Sequence, residues 1–585
     1  MKLNIIPPSR YAKEILIVLV VTSCFVRLYW LFMGMGSSHY SYHDEVAAVL
    51  YGEKWLYYSH AMFSSGQLPG PWQNIIFWLL IRILPSSPLM LYLVPMMWGL
   101  VEIILIYIMI LKWSENKNAA LIGAALSAYA PWSLQFSYTF WNPYPVIPLM
   151  TLTMIVLYDV LHQDRSRRIF WLIVLIAIMP FFHMMSFFAA MGIVGLILYE
   201  WRRISLNYRY GGWGLLVGIL LYVPFIYFDA KNNFMILRGY IAGDLIRSKV
   251  EVLKVISNHL IIGSHEISRF VGYNWKTYAF FLNKYYGTIV IPFLAIGLSV
   301  PLALYAWILF FKRAWHDREG SDRKLLVYMG VTILSFSLTF QAHELRYVNV
   351  TWAILFYVLA LGITALIEKY KQFSQQSSAV VEQDVKRRLI GVNLRKYLFK
   401  GILIFYILNT FYLAIVLPHY YRYPNYQGNY RFIPSILYFV KIEDALLDRA
   451  REENNALPDQ IRHGAELIPI QKEWNESLWS FFYDDAKRLS LLRSYKDPYR
   501  DIPQFFIETD FLESELYLYK EQQIRTELSR FLNGRNRVNI VTEIEEADAT
   551  VAFISKEQWA LDEKPEGYAI WGEFSNGYMI GKFLP

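Results

Sequence analysis

Long apolar segments separated by polar loops of varied length fill the first 417 residues of the chain. A bilayer core is about 30 Å thick and is crossed by about 20 helical residues. The runs are continuous rather than alternating, which favours membrane helices over a membrane barrel. Eleven spans are predicted: Ile15 to Met33, Leu89 to Leu111, Ala119 to Ser137, Val146 to Leu161, Phe170 to Phe182, Ser186 to Tyr199, Trp213 to Phe228, Thr288 to Phe311, Leu325 to Phe340, Val350 to Ile367 and Phe399 to Leu417.

Basic residues cluster in alternate loops. They follow the second, fourth, sixth, eighth and tenth predicted spans: Lys112 and Lys117; Arg165, Arg167 and Arg168; Arg202, Arg203 and Arg209; Lys312 to Lys324; and Lys369 to Lys400. Cytoplasmic loops of membrane proteins carry an excess of Lys and Arg. The pattern therefore predicts a multi-pass protein of the inner (plasma) membrane with a cytoplasmic N-terminus. The loops 34–88 and 229–287 and the C-terminal region then lie outside.

The N-terminus has some features of a signal peptide, because basic residues precede an apolar run that contains Val21-Thr22-Ser23-Cys24, a stretch similar to a lipoprotein cleavage site. The run continues to Met33, however, which favours an uncleaved first span.

The composition becomes that of a soluble domain from Pro418 onward. Strands are predicted at Val538 to Val541, Ala549 to Ile554 and Tyr568 to Trp571, and a helix at Gln522 to Leu532. We expect two domains: a transmembrane domain, 1–417, and an extracytoplasmic α/β domain, 418–585. A polar segment from Lys371 to Lys396 is predicted to be a flexible linker inside the first.

Charge and cysteine content argue against a nucleic-acid-binding protein and against a disulfide-stabilised one. The net charge is +8, but the basic residues form no single patch, which argues against nucleic acid as a partner. The one cysteine, Cys24, rules out a disulfide framework within the chain.

The stretch Ser41 to Glu45, just after the first span, is the first candidate for chemistry. It brings His43, Asp44 and Glu45 together at the outer membrane surface. One interpretation is structural: Ser41-x-x-Asp44 is typical of a helix start. The other is that one carboxylate acts as a general base or binds a metal ion while its neighbour sets its charge state. The two are compatible.

Other candidates lie at the outer ends of later spans. Arg346 can bind a phosphate with a bidentate fork, or reach lipid headgroups as arginines near span ends commonly do. His183 and His343 can bind a metal or donate to phosphate, or can be packing residues. Arg27 and Glu102 lie within apolar runs, where a charge usually faces a partner or a wet cavity. Arg27 is expected to stabilise the acidic loop, and Glu102 to pair with Arg27 or Arg82.

These motifs, in this order, resemble the GT-C superfamily of integral-membrane glycosyltransferases, in particular the protein O-mannosyltransferases and the lipid A aminoarabinose transferases. The resemblance covers about Ile15 to Ile367. It is carried by the following motifs: Phe25-Val26-Arg27-Leu28-Tyr29, His43-Asp44-Glu45, Pro71 to Leu80, Trp141-Asn142-Pro143-Tyr144, His183, and His343-Glu344-Leu345-Arg346-Tyr347.

The resemblance implies transfer of a sugar from a polyprenyl-phosphate donor to a glycan, lipid or protein acceptor on the outer face. Asp44 is then the general base, with Glu45 as its partner or replacement. The donor phosphate is bound by Arg346, His343, Tyr347 and His183, and the substrates by His43, Asn142 and Glu344. Some relatives carry a Glu-Lys-Pro-Pro segment where this chain has Gln67 to Pro71, and some carry an aspartate where it has Asn142. A divalent metal therefore stays an open question.

Two other hypotheses are a transporter or flippase of lipid-linked sugars and a membrane scaffold whose outer domain binds glycan or protein. The absence of repeated halves and the small number of intramembrane charges argue against a transporter. The sequence leaves open the sugar, the acceptor, the prenyl length, the role of the C-terminal domain and the oligomeric state.

Overall fold

The computed structural model describes residues 11–32, 93–130, 145–162, 166–182, 186–204, 207–231, 290–339 and 350–379, five strands between 504 and 583, and isolated further positions. The helices are α1 (Ala12–Phe32), α2 (Leu93–Ser114), α3 (Lys117–Tyr129), α4 (Val146–His162), α5 (Ile169–Ile178), α6 (Ser186–Glu200), α7 (Tyr208–Lys231), α8 (Val290–His316), α9 (Ser321–Thr339) and α10 (Trp352–Ala379). Short 3-10 turns, Ser166–Arg168 and Met179–Phe181, flank α5.

The described part of the chain is mostly helical. Each of the first ten predicted spans coincides with one of these helices, and the eleventh falls on isolated helical positions. Among the described residues, Leu93–Ser114 and Trp352–Gln372 are long and apolar enough to cross a bilayer. Val146–His162, Ile169–Phe181 and Ser186–Glu200 are shorter apolar helices.

A tight turn reverses the chain between α2 and α3. Glu115 adopts a left-handed backbone conformation, φ 55°. Asn116 then caps α3, because its side-chain oxygen accepts hydrogen bonds from the backbone N–H groups of Asn118 (2.9 Å) and Ala119 (3.1 Å). The two helices therefore lie side by side and antiparallel.

Helix α10 lies at the centre of the bundle. Its residues 352–364 are all buried. Small residues permit close approach: a Cβ on Gly123 of α3 would contact Ile110 and Ala360, and one on Gly362 would contact Ala306 of α8. Helix α10 is thus packed against α2, α3 and α8 at once.

Helix α10 is longer than the span that the sequence predicted. It continues from the predicted span end at Ile367 to Ala379, into the segment predicted to be a linker from Lys371. Propagating an existing helix is easy, and this stretch has no Gly or Pro to stop it. The predicted linker therefore begins as helix.

A mixed five-stranded sheet lies in the C-terminal region. The strands are β1 (Gln504–Ile507), β2 (Asn539–Ile540), β3 (Ala549–Ser555), β4 (Ala569–Glu573) and β5 (Gly577–Phe583), in the order β2-β1-β3-β5-β4. Strand β1 is parallel to β2 and β3, and β5 is antiparallel to β3 and β4. Strands β2, β3 and β4 match the predicted ones, β1 and β5 were not predicted, and the predicted helix at Gln522 to Leu532 lies outside the described residues.

Candidate functional site

Ion pairs join several loops at one end of the helix bundle. Lys112, near the end of α2, donates from Nζ to Oδ1 of Asp159 across 2.6 Å. Arg168, directly before α5, pairs with the other carboxylate oxygen. Asp159 is fully buried near the end of α4. The end of α2, the end of α4 and the start of α5 therefore meet here.

A second set of charges extends this end of the bundle. Arg203 after α6 pairs with Glu319, which lies between α8 and α9, at 2.9 Å. Lys324 near the start of α9 lies 2.9 Å from Nε2 of His162 and 3.9 Å from Oε2 of Glu200. These pairs bring the ends of α4, α6 and α8 together with the start of α9.

A third set anchors α10. Arg313 lies 2.6 Å from Oδ2 of Asp322, and the hydroxyl of Tyr357 donates to Oδ1 of Asp322 across 2.6 Å. Burial raises the pKa of the Asp322 carboxyl, and Arg313 and Tyr357 partly oppose that rise. We call this end of the bundle the charged end; its residues are Lys112, Asp159, His162, Arg168, Glu200, Arg203, Arg313, Glu319, Asp322 and Lys324.

The opposite end is reached by α1 and α3 together. Arg27 donates from Nε to Ser137 (2.9 Å), from Nη1 to the carbonyl of Ala128 (2.9 Å), and from Nη2 to Ser133 (3.2 Å). It also donates to Ser23. Because α3 starts beside the charged end, these contacts direct the last turn of α1 away from it.

Two further contacts place the starts of α6 and α10 relative to other helices. The rings of Phe188 in α6 and Phe336 in α9 lie 5.4 Å apart, edge to face, so the start of α6 lies beside the end of α9. The indole N–H of Trp352, the first residue of α10, donates to Oε1 of Glu102 across 2.9 Å. The start of α10 is therefore tied to the middle of α2.

The described helix ends that flank the predicted site residues in the sequence lie at this opposite end. His43, Asp44 and Glu45 follow α1, Asn142 precedes α4, His183 precedes α6, and His343, Glu344, Arg346 and Tyr347 lie between α9 and α10. All nine lie outside the described residues. What the structure brings together is the set of helix ends that flank them.

The sequence did not identify the residues that contact the buried side chains of Arg27 and Glu102. We expected Arg27 to stabilise the acidic loop and Glu102 to pair with Arg27 or Arg82. The structure gives Glu102 a hydrogen bond from Trp352, and the charge of Arg27 also acts on Glu102. Serine hydroxyls and a carbonyl group hold Arg27, and the acidic loop lies outside the described residues. Arg82 lies outside the described residues. The only hint in the sequence was that both charges occur within apolar runs.

A metal site is not formed by the helices described. Across their residues, no three His, Cys, Asp or Glu side chains are grouped closely enough to hold an ion.

Comparison with known proteins gives structural neighbours only. No protein-family model and no curated protein matches the chain. The structure is similar to ArnT from Cupriavidus metallidurans bound to undecaprenyl phosphate, with a TM-score of 0.48, 10% identity and 97% of each chain covered. It is also similar to the archaeal oligosaccharyltransferase AglB from Archaeoglobus fulgidus in complex with an inhibitory peptide and a dolichol-phosphate, with a TM-score of 0.45, 12% identity, and 94% of this chain and 70% of that chain covered.

Both neighbours are membrane glycosyltransferases of the GT-C type, the superfamily that the sequence motifs resemble.

Proposed function

We propose that this protein is an integral-membrane glycosyltransferase that transfers a sugar from a polyprenyl phosphate to an acceptor on the extracytoplasmic face. One observation supports the proposal: the described helix ends that flank the four segments with candidate site residues lie at the end of the bundle opposite the charged end. Candidates scattered over both ends would not form a single site. The positive charge of the alternate loops makes the charged end the cytoplasmic one.

Asp44 is the general base. It accepts the proton of an acceptor hydroxyl as that oxygen attacks the anomeric carbon. The new bond forms from the hydroxyl oxygen, the bond between the anomeric carbon and the phosphate oxygen breaks, and polyprenyl phosphate leaves with the electron pair. The product has inverted stereochemistry at that carbon. Glu45 orients Asp44 or replaces it as the base.

The leaving phosphate needs positive charge and hydrogen-bond donors. Arg346 binds two phosphate oxygens, and His343, Tyr347 and His183 donate to the same group. His43, Asn142 and Glu344 bind hydroxyl groups of the sugar or of the acceptor. A divalent cation held at the acidic pair is compatible with these roles, and adding EDTA to the assay decides whether one is needed.

Two larger parts of the chain, the helix bundle and the C-terminal region, also have roles in the proposed reaction. The apolar bundle binds the prenyl chain, since an isoprenoid tail is as apolar as the side chains around it. Residues 418–585, with their five-stranded sheet, form an extracytoplasmic domain that recognises the acceptor or covers the site.

The test is a reconstitution of the full chain in lipid vesicles with a polyprenyl phosphate that carries a radiolabelled sugar. The proposal predicts loss of label from the lipid, release of polyprenyl phosphate, and label on an acceptor extracted from envelopes. The alternative of a flippase predicts that the label moves between leaflets while the sugar–phosphate bond stays intact. Movement without cleavage, over a range of acceptors and divalent ions, would overturn the proposal.

A further inference from the structure

Three exposed arginines lie around the starts of α5 and α7. Arg167 is directly before α5, Arg202 follows α6, and Arg209 is in the first turn of α7. Among the residues that the structure describes, no carboxylate pairs with any of the three. Lys112 and Arg168, by contrast, both pair with the buried Asp159. The fold uses the charges of Lys112 and Arg168, and it leaves those of the three exposed arginines for a partner from outside.

Helices α5 and α7 start side by side, which brings two of these arginines onto one face. The guanidinium carbon of Arg167 lies 5.7 Å from the centre of the Tyr210 ring in the first turn of α7. One turn further along, a Cβ on Gly214 would lie 2.9 Å from the carbonyl oxygen of Phe170. The glycine therefore permits the backbones of the two helices to approach closely at the charged end of the bundle.

On both helices an exposed tryptophan follows the arginine by four residues. Trp171 follows Arg167 and is 59% exposed, and Trp213 follows Arg209 and is 54% exposed. Residues four apart share one side of a helix and are separated by about 6 Å along its axis. Tryptophan is enriched at membrane–water interfaces, where one part of its ring is wet and the other apolar. The arginines thus lie at the level of lipid headgroups, one turn outside the indole rings.

The outer side of α7 continues with exposed apolar residues. Leu216, Leu220 and Val223 follow Trp213 at intervals of three and four residues, and all are exposed. Along α7 the order is therefore a cation at Arg209, an interfacial ring, and an apolar stripe. A phospholipid has the same order, with a phosphate, an ester region and an acyl chain, so one lipid can lie along the helix with its phosphate at Arg209.

We propose that this face binds the headgroup of an anionic phospholipid in the membrane leaflet at the charged end. We call it the arginine face; its residues are Arg167, Trp171, Arg202, Arg209, Tyr210 and Trp213. A guanidinium group binds two phosphate oxygens in a fork. Three cations without a carboxylate favour a lipid of net negative charge over a zwitterionic lipid, which carries its own cation. The inference goes beyond the proposed function, because none of these residues takes part in sugar transfer.

The test uses the full chain in detergent micelles titrated with phosphatidylglycerol or with phosphatidylcholine. Native mass spectrometry counts the bound lipids and gives a Kd for each. Each basic residue near an anionic lipid contributes about fivefold in affinity, so Arg209→Gln should raise the Kd for phosphatidylglycerol about fivefold and Arg167→Gln/Arg209→Gln about 10- to 30-fold. Arg209→Lys keeps the charge and should raise this Kd by less than about threefold. The Kd for phosphatidylcholine should stay the same in all variants, which shows that the bundle is intact.

The matched control is Arg318→Gln. Arg318 is also exposed at the charged end, in the connection between α8 and α9, but it lies between Asp317 and Glu319 in the sequence. Its substitution removes the same charge as Arg209→Gln from the same end of the bundle. The Kd for phosphatidylglycerol should change by less than about twofold.

Three results would overturn the proposal. Equal losses in Arg209→Gln and Arg318→Gln would mean that only the net charge of this end attracts the lipid. Equal Kd values of the wild type for phosphatidylglycerol and phosphatidylcholine would mean that no anionic headgroup is selected. Displacement of phosphatidylglycerol by an equal concentration of glycerol phosphate would mean that the face binds free phosphate rather than a lipid.

Discussion

The ammonium group of Lys324 donates a hydrogen bond to Nε2 of His162 across 2.9 Å. The other ring nitrogen, Nδ1, donates to the carbonyl of Tyr158 at 3.1 Å. The imidazole is therefore neutral, with its proton on Nδ1, and joins the end of α4 to the start of α9. The pair lies beyond the predicted spans, where solution pH can act on it.

This contact predicts a stability that falls in acid. Burial, and then the positive charge of Lys324, lower the pKa of His162 below its usual value. The unfolded chain takes up the proton at about pH 6.5 and the folded chain only at lower pH, so stability is lost as the pH falls below about 6.5. His162→Gln keeps an acceptor for Lys324 and has no proton to gain. Its Tm in detergent should fall less than that of the wild type between about pH 7.5 and about pH 5.5. Equal pH dependence in both proteins would contradict this role of His162.

The buried carboxylate of Asp159 predicts a non-additive pair of mutations. It has two cations, Lys112 and Arg168, and either one alone still compensates its charge. Lys112→Met or Arg168→Met should each cost about 1 kcal/mol of stability. The double variant leaves a buried charge without a cation and should cost about 3–5 kcal/mol. Chemical unfolding in mixed micelles measures these values. Costs that simply add would mean that the two cations do not share Asp159.

The charged end is expected to face the cytoplasm. Glu319 has a side chain that is 77% exposed at this end, so a cysteine there is accessible to reagents. In a Cys24→Ser background, Glu319→Cys should react with a membrane-impermeant maleimide in inverted vesicles and not in intact spheroplasts. The Cys24→Ser chain without the new cysteine serves as the blank. Labelling in spheroplasts would reverse the topology and move the proposed site to the cytoplasmic side.

Arg346 has two interpretations that a lysine substitution separates. If its guanidinium binds the donor phosphate in a bidentate fork, Arg346→Lys keeps the charge but loses the fork, and Arg346→Gln loses both. A hydrogen bond between charged groups contributes about 1.5–3 kcal/mol, so we expect donor affinity to fall by about 10- to 100-fold in Arg346→Gln and by less in Arg346→Lys. Binding of labelled polyprenyl phosphate to vesicles is the measurement. If Arg346 only reaches lipid headgroups, both variants bind the donor as the wild type does.

Helices were predictable where the signal is local. A run such as Leu89 to Leu111 needs no partner to be recognised, because its length and its single charged residue, Glu102, match the bilayer. The alternate placement of Lys and Arg likewise predicted that distant loops share one side. The structure brings Lys112, Arg168, Arg203 and Lys324 to one end of the bundle.

Pairings between distant residues were not predictable from one sequence. Nothing local to Glu102 indicates a tryptophan 250 positions later as its partner, and nothing near Tyr357 indicates Asp322. Such contacts depend on how helices pack, which single-span patterns do not encode.

Strand β5 was not predicted from the sequence for a different reason. Its sequence starts with Gly577 and contains Gly581, and glycines usually weaken a strand. In the sheet, a Cβ on Gly581 would contact the ring of Trp571 on β4. Gly581 leaves room for that ring. This contact becomes visible only when β4 and β5 are paired in the sheet.

The residues of the candidate site were predicted from the order of the motifs and from the predicted topology. The structure adds the arrangement of the helix ends that flank its segments in the sequence, together with the bond between Glu102 and Trp352. The roles of Asp44 and Arg346 stay predictions from the sequence, because both residues lie outside the described ranges.

The most direct test of the central claim is the rate of sugar transfer by Asp44→Asn in vesicles supplied with labelled lipid-linked sugar. Asparagine caps a helix as well as aspartate does, so this change preserves any structural role of Asp44 and removes only the base. We predict that donor binding is retained while kcat falls by about 100- to 10,000-fold. Transfer by Asp44→Asn at the wild-type rate would contradict the assignment of Asp44 as the catalytic base.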